Sequence, residues 1–180
     1  PTNVGFFLFL VLHLIFFRYN TRVIFIFINY CTMETTLILL KPDTVERGLI
    51  GEVISRLENK GLKISGLQMI QLDDEIIAEH YDFLADKPFF PGIQKYMKRT
   101  PVVAIAATGV NAIATVRMLT GATNPTEALP GSIRGDFGLT IDANIIHASD
   151  APETAEVELK RFFKGEGVFD YNRVIDEVIS

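Results

Sequence analysis

Four short apolar runs, separated by stretches of helical periodicity, limit this chain to a small set of folds. Thr35-Thr-Leu-Ile-Leu-Leu40 has strand length and ends at Lys41-Pro42-Asp43, where Pro42 stops it and the Asp43/Thr44 pair can cap a helix starting there. Apolar residues at 49, 50, 53, 54 and 57 form one helical face, and Gly61 is placed to end that helix. Lys63 to Leu72 alternates as a strand does. Asp73-Asp-Glu75 opens a helix expected to run through Leu84, and a second short helix is expected over Pro91 to Arg99. Pro101-Val-Val-Ala-Ile-Ala-Ala107 reads as a buried strand, Asn111 to Leu119 as a helix, Asn144 to Ala148 as the fourth strand, and Pro152 to Phe163 as a closing helix. Between them, Gly121 to Gly135 is rich in Gly and Pro and predicts a long loop, ordered or functional. This order predicts an α+β domain of split βαβ type: a four-stranded antiparallel sheet with helices on one face.

The pattern starts at about Met33. Residues 1–32 differ in kind, with seven of the 14 Phe, no Asp or Glu, and Arg18 and Arg22 as the only strong charges. The uncharged run from Val4 to Phe17 is short for a membrane span and falls in the range of a signal h-region, without a basic segment before it or a small-residue cleavage site after it. This hydrophobic leader is expected to lie outside the fold, whether as an artefactual or non-native segment, a targeting segment or an anchor. Residues 33–180 are expected to be the single folded and active unit. Without Arg18 and Arg22 the 17 basic residues become 15, against 22 acidic ones, so the domain carries about −7. An acidic domain disfavours nonspecific nucleic-acid binding. The only cysteine, Cys31, lies in the leader, so the domain has neither a disulfide nor a thiolate nucleophile, and a reducing compartment suits it.

Several chemistries are excluded by what is missing. There is no G-x-x-x-x-G-K-[ST] run and no H-E-x-x-H, and Gly165-Glu-Gly167 lacks the third glycine of a dinucleotide fingerprint. Three scattered histidines do not make a zinc site. His13 belongs to the leader, and His80, inside a charged helix, is expected to be solvated. His147 is different: Asn144-Ile-Ile-His147-Ala-Ser-Asp150 places an imidazole at a strand end between a side-chain amide and a Ser-Asp pair. At neutral pH an imidazole can offer an unprotonated nitrogen as a nucleophile. Lys41 after a strand, Arg117 near a helix end and Arg134 between Gly131 and Gly135 each have an ordinary surface reading. Taken with His147, they describe a site for a phosphate chain, where transfer is mostly charge neutralisation and in-line positioning.

Lys41-Pro-Asp43, Arg47-Gly-Leu-Ile-Gly51, Glu79-His-Tyr81, Pro88-Phe-Phe90, Thr123-Asn-Pro125, Ile133-Arg-Gly-Asp-Phe137 and Asn144-Ile-Ile-His-Ala-Ser-Asp150 together resemble the nucleoside diphosphate kinase family, in register from about Thr35 to Phe163. The resemblance implies a ferredoxin-like βαββαβ sandwich. It implies ping-pong transfer of a terminal phosphoryl group from a nucleoside triphosphate such as ATP to a nucleoside diphosphate, through a phosphohistidine at His147. By the same resemblance, Glu158 and Ser149 orient the imidazole. Lys41 and Asn144 contact the sugar 3′-hydroxyl and phosphate oxygens, and Arg117, Thr123 and Arg134 hold the phosphates. Tyr81 packs and donates a hydrogen bond near His147 and Lys41. Phe89 stacks on the base, with Phe90 beside it in the core. Mg²⁺ is expected to arrive on the nucleotide with no dedicated protein cage, and Asp150 to act as a cap or loop anchor. Ala148 stands where many members carry Gly. A cytoplasmic homohexamer or homotetramer is implied, with no specific nucleic-acid partner and no membrane association unless the leader is genuine.

Overall fold

The computed structural model describes residues 32–176, so the expectations for the leader, including His13 and Cys31, lie outside the described residues. The strands are β1 (Met33–Leu40), β2 (Lys63–Ile70), β3 (Val102–Val110) and β4 (Ile146–Ala148). They form one antiparallel sheet in the order β2-β3-β1-β4. The helices are α1 (Pro42–Glu46), α2 (Ile50–Asn59), α3 (Asp74–His80), α4 (Phe90–Met97), α5 (Ala112–Thr120), α6 (Ile133–Phe137) and α7 (Pro152–Phe163). This is the βαββαβ arrangement with short helices added. Among the described residues, no helix is long and apolar enough to cross a membrane.

Helices cover both faces of the sheet rather than one. The cause is the composition of β1 and β3, which are unbroken apolar runs over residues 37–40 and 102–107 instead of alternating with polar residues. Ile38, Leu40, Val103 and Ile105 face one layer with Val53 and Leu57 of α2, Ala112 and Val116 of α5, and Ile133 of α6. Leu37, Leu39, Val102 and Ala104 face the other, with Ile77 of α3, Phe90 and Met97 of α4, and Phe162 and Phe163 of α7. The short edge strand β4 obeys the same period of two: Ile146 and Ala148 join the first layer, and His147, paired with Leu39, is left to face the second.

The element boundaries differ from the sequence expectation in three informative places. The helix from Asp73 stops at His80 and gives way to a 3₁₀ turn over Asp82–Leu84, which turns Tyr81 inward. The glycine-rich stretch contains α6, capped by the Ser132 hydroxyl accepting from Gly135 N, as well as a 3₁₀ turn at Pro125–Glu127. The fourth strand begins at Ile146 rather than Asn144, because Ile145 takes a left-handed φ of +71°.

Gly66 sits beside the register shift where β2 meets β3, and the chain after α7 crosses over it, with Phe169 N donating to Ser65 O. A Cβ at Gly66 would lie 2.8 Å from both Gly167 O and Phe163 Cε1. Gly66→Val is therefore expected to destabilise the domain by about 1–3 kcal/mol through overpacking, measured as a lowered midpoint in urea unfolding.

Candidate active site

Five elements converge on a cavity of about 440 Å³. Lys41 enters from the end of β1, His80 and Tyr81 from the end of α3, Arg117 and Thr120 from α5, His147 from β4 and Glu158 from α7, while Thr123, Arg134, Asn144 and Asp150 complete the wall from loops and α6. The sheet places His147 on the α7 side, and α7 presents Glu158 toward it.

His147 Nε2 lies 2.9 Å from Glu158 Oε1, and Ser149 Oγ donates to Glu158 Oε2 at 2.5 Å. Burial by itself would raise the Glu158 carboxyl, but the hydrogen bonds from His147 and Ser149 reverse this and hold it below the usual carboxylate range. An ionised carboxylate has no proton to give, so the hydrogen of this contact sits on Nε2 and the lone pair of a neutral His147 sits on Nδ1.

His80, expected on the surface, is instead buried against His147. Its ring meets His147 edge-on at 4.6 Å and Phe162 at 5.1 Å, and Nδ1 is 3.5 Å from both Glu158 Oε1 and Arg161 Nη1. Burial, followed by the neighbouring His147, lowers its pKa to about 3. His80, His147 and Glu158 bring three potential metal ligands within 4.8 Å of one another. The Arg161 guanidinium faces His80 Nδ1, however, and the Glu158 oxygens already accept hydrogen bonds, an arrangement suited to holding protons rather than a cation.

On the opposite wall Lys41 Nζ donates to Asn144 Oδ1 at 2.6 Å, and Asn144 Nδ2 donates to Thr123 O at 2.9 Å. Burial and the charge of Arg134 lower the Lys41 pKa to about 8, partly opposed by Asp43. Arg134 spends three N–H groups on backbone carbonyls: Nε to Asn144 O, Nη1 to Gly121 O and Nη2 to Ile146 O. A guanidinium has five such donors, so two remain for a ligand. Burial and Arg117 lower its pKa to about 10.

Asn144 and His147 reach one cavity because the chain turns sharply between them. Ile146 N donates to Asn144 O at 2.8 Å across Ile145, which makes a γ-turn of the strained, positive-φ kind. A β-branched residue held this way costs roughly 1–3 kcal/mol. Asp43 and Thr44, expected to cap a helix, are turned instead to the backbone of this isoleucine: Asp43 Oδ2 accepts from Ile145 N at 3.0 Å, and Thr44 Oγ1 donates to Ile145 O.

Tyr81 lines the cavity with His147 and Lys41, and its hydroxyl donates to Met97 Sδ at 3.8 Å; burial, then Glu158, pushes its phenol above the ordinary range. Asp150 does not cap α7, whose N-cap is Ala151, and stands exposed on the cavity wall. Phe89 lies outside the cavity lining, at the exposed start of α4, with Phe90 buried beneath as expected; Phe83 and Leu84 line the cavity itself.

The family profile described as nucleoside diphosphate kinase matches residues 34–168. The chain belongs to the nucleoside diphosphate kinase family. It is 55% identical to a nucleoside diphosphate kinase of Parabacteroides distasonis over 77% of this chain and 91% of that one. Against the nucleoside diphosphate kinase of Pyrococcus horikoshii it is 51% identical, over 79% of this chain and 93% of the other. Its fold superposes on the structure of a halophilic nucleoside diphosphate kinase from Halobacterium salinarum in complex with CDP, with a TM-score of 0.80 and 40% identity, covering 83% of this chain and 99% of that one. The activity is thus that of a nucleoside diphosphate kinase, a phosphotransferase, and the antiparallel α+β sandwich is the family fold.

Sequence reasoning gave His80 no part in the cavity and gave Asp43 and Thr44 no part in supporting it. His80 stood within the Glu79-His-Tyr81 motif, and its neighbour Tyr81 was the only hint that this face of α3 points inward.

The titrations of Lys41 and His80 each carry an expected outcome. A free enzyme that needs Lys41 charged loses kcat/KM as pH rises through about 8; Lys41→Ala should lack that limb and run roughly 10²-fold slower at neutral pH, as read from steady-state rates across pH. For His80, the folded value of about 3 lies below the ordinary 6.5. Between these values the unfolded chain takes up a proton that the folded chain refuses, so stability is present above 6.5 and falls as pH drops through that window. His80→Phe is expected to flatten this acid limb in melting curves recorded from neutral to acidic pH.

Proposed function

We propose that the kinase reaction runs by a ping-pong path through a phosphohistidine on His147. The observation that carries this reading is the Nε2–H contact to Glu158, which leaves the Nδ1 lone pair as the nucleophile in a cavity walled by Lys41, Arg117 and Arg134. Nδ1 attacks the terminal phosphorus of a nucleoside triphosphate, ATP in the usual case. The N–P bond forms, the bond from phosphorus to the bridging oxygen breaks, and the diphosphate leaves with that oxygen. The ring then carries a positive charge, and the Glu158 carboxylate stabilises it through Nε2–H. Attack by the terminal oxygen of a second nucleoside diphosphate returns the imidazole to its neutral form. Ser149 orients Glu158, and Arg117, Thr123 and the two free N–H groups of Arg134 hold the phosphates. Lys41 and Asn144, already bonded to each other, reach the sugar hydroxyl and phosphate oxygens.

Phe89, exposed at the start of α4, offers a ring face to a base and reads no base edge, which suits a broad range of nucleotides. With Glu158 engaged, Asp150 is the carboxylate of the cavity lining left open to a cation, so Mg²⁺ held largely by the phosphates, with Asp150 near at hand, fits this donor set. When bound, the ion neutralises phosphate charge. The protein is proposed to act in the cytoplasm as a homohexamer or homotetramer; the edge strand β2, with Leu67 and Met69 exposed, supports an assembling surface.

Incubation with γ-labelled ATP is expected to leave acid-labile, base-stable label on the protein that is discharged by GDP, and His147→Gln is expected to lower turnover by at least about 10⁴-fold. Parental turnover in a folded His147→Gln variant would defeat this reading.

A further inference from the structure

In a regular strand, residues three apart point to opposite faces. Asn144 and His147 nevertheless share a cavity, and the turn at Ile145 is the reason. Nothing in Ile145 itself favours that turn: it is β-branched, fully buried and held at a φ of +71°. Its conformation must therefore be imposed from outside. Its carbonyl accepts from Lys41 N at 2.9 Å and from the Thr44 hydroxyl, and its N–H is taken by Asp43 Oδ2 at 3.0 Å. The second oxygen of Asp43 accepts from the Tyr96 hydroxyl at 2.6 Å. Asp43 is buried, with 6% of its surface exposed, so its two oxygens rely on these two donors. Tyr96 lies on α4, and its ring carries the Arg99 guanidinium at 5.7 Å from the centroid. Tyr96 and Asp43 are absent from the cavity lining, so neither acts by touching a nucleotide there.

We propose that the Tyr96–Asp43 pair is a positioning device for phosphoryl transfer, which grips the Ile145 N–H and so sets Asn144 and His147 in their mutual geometry. The proposal rests on the phosphohistidine reading above and names residues through which that site is aligned. Tyr96 holds Asp43 in a single orientation; Asp43 holds the turn; the turn aims the amide and the imidazole into one cavity. Losing the grip relaxes Ile145 toward ordinary strand geometry and displaces His147 relative to the phosphate-holding groups. Transfer is steeply sensitive to such shifts, since a displacement of about 1 Å can cost 10²-fold.

The test is single-turnover phosphorylation of His147 by γ-labelled ATP in Tyr96→Phe, Asp43→Ala and Asp43→Asn, beside the parent, at a temperature where circular dichroism shows each folded. Tyr96→Phe keeps the ring, the Arg99 contact and the Asp43 charge. It is expected to slow phosphorylation and kcat roughly 10-fold, with KM for nucleotide changed less than about twofold. Asp43→Ala is expected to lose roughly 100-fold. Asp43→Asn should recover most of that loss, because its amide can accept from Ile145 N–H and donate to the phenol. A lower melting temperature with the parental phosphorylation rate in Tyr96→Phe would overturn the proposal, as would a raised KM with kcat unchanged. If Asp43→Ala does not fold, Tyr96→Phe alone decides. A parent that takes up no label at His147 would instead overturn the phosphohistidine reading, so the two failures are distinguishable.

Discussion

Because Glu158 is ionised inside the protein, its polar neighbours are recruited as donors, and the chemistry of the site derives from that requirement. His147 must present Nε2–H, Ser149 must present its hydroxyl, and the imidazole is left with a lone pair on the other nitrogen. A buried charge is costly unless it is hydrogen-bonded, so the contacts that stabilise the fold here also choose the tautomer of His147. On the proposed phosphohistidine path, the same carboxylate meets the positive charge that the ring acquires. His80, packed edge-on against His147 and kept neutral by burial, closes the back of the ring against water.

The other wall of the cavity works by the opposite principle. Lys41, Arg117 and Arg134 are gathered without a matching set of carboxylates in the lining, and burial with mutual repulsion lowers the affinity of Lys41 and Arg134 for their own protons. In the free protein this is an unfavourable arrangement. A polyphosphate removes the cost, which is why such a wall suits a triphosphate better than any neutral ligand. Arg134 also braces the structure: by bonding the carbonyls of Gly121, Asn144 and Ile146 it ties the loop after α5 to the start of β4. Strain at Ile145, unpaired cations and a buried carboxylate are all costs met by the rest of the fold, whose two apolar layers on either side of the sheet supply the stabilisation.

Much of this could be read in the chain before any coordinates. The apolar runs of β1 and β3, the helical face of α2 and the span of α7 are set by periodicity, because local burial imposes a period of two on strands and 3.6 on helices. Lys41, Asn144, His147, Thr123 and Arg134 stood out within motifs, Arg117 by its place near a helix end and Glu158 through the family resemblance, and the fold brings all of them to one cavity. Phe89 was legible as an aromatic beside a buried Phe90, although it lies outside that cavity lining.

The linear pattern could not express which partner a polar side chain finds far along the chain. Asp43 and Thr44 look like helix caps because capping is the commonest local use of such residues after a strand; only the packed structure offers them the backbone of Ile145, 102 residues from Asp43, whose peptide groups would otherwise be buried unpaired. His80 sits among charged neighbours and reads as solvated, yet the folded chain packs the end of α3 so that it lies buried against His147, 67 positions away. Amino-acid order alone therefore determined the four strands, the main helices and the chemical groups available. Tertiary structure decided the tautomer of His147, the bend at Ile145 and the burial of His80, because each depends on hydrogen bonds or packing between segments that only folding brings within a few ångströms.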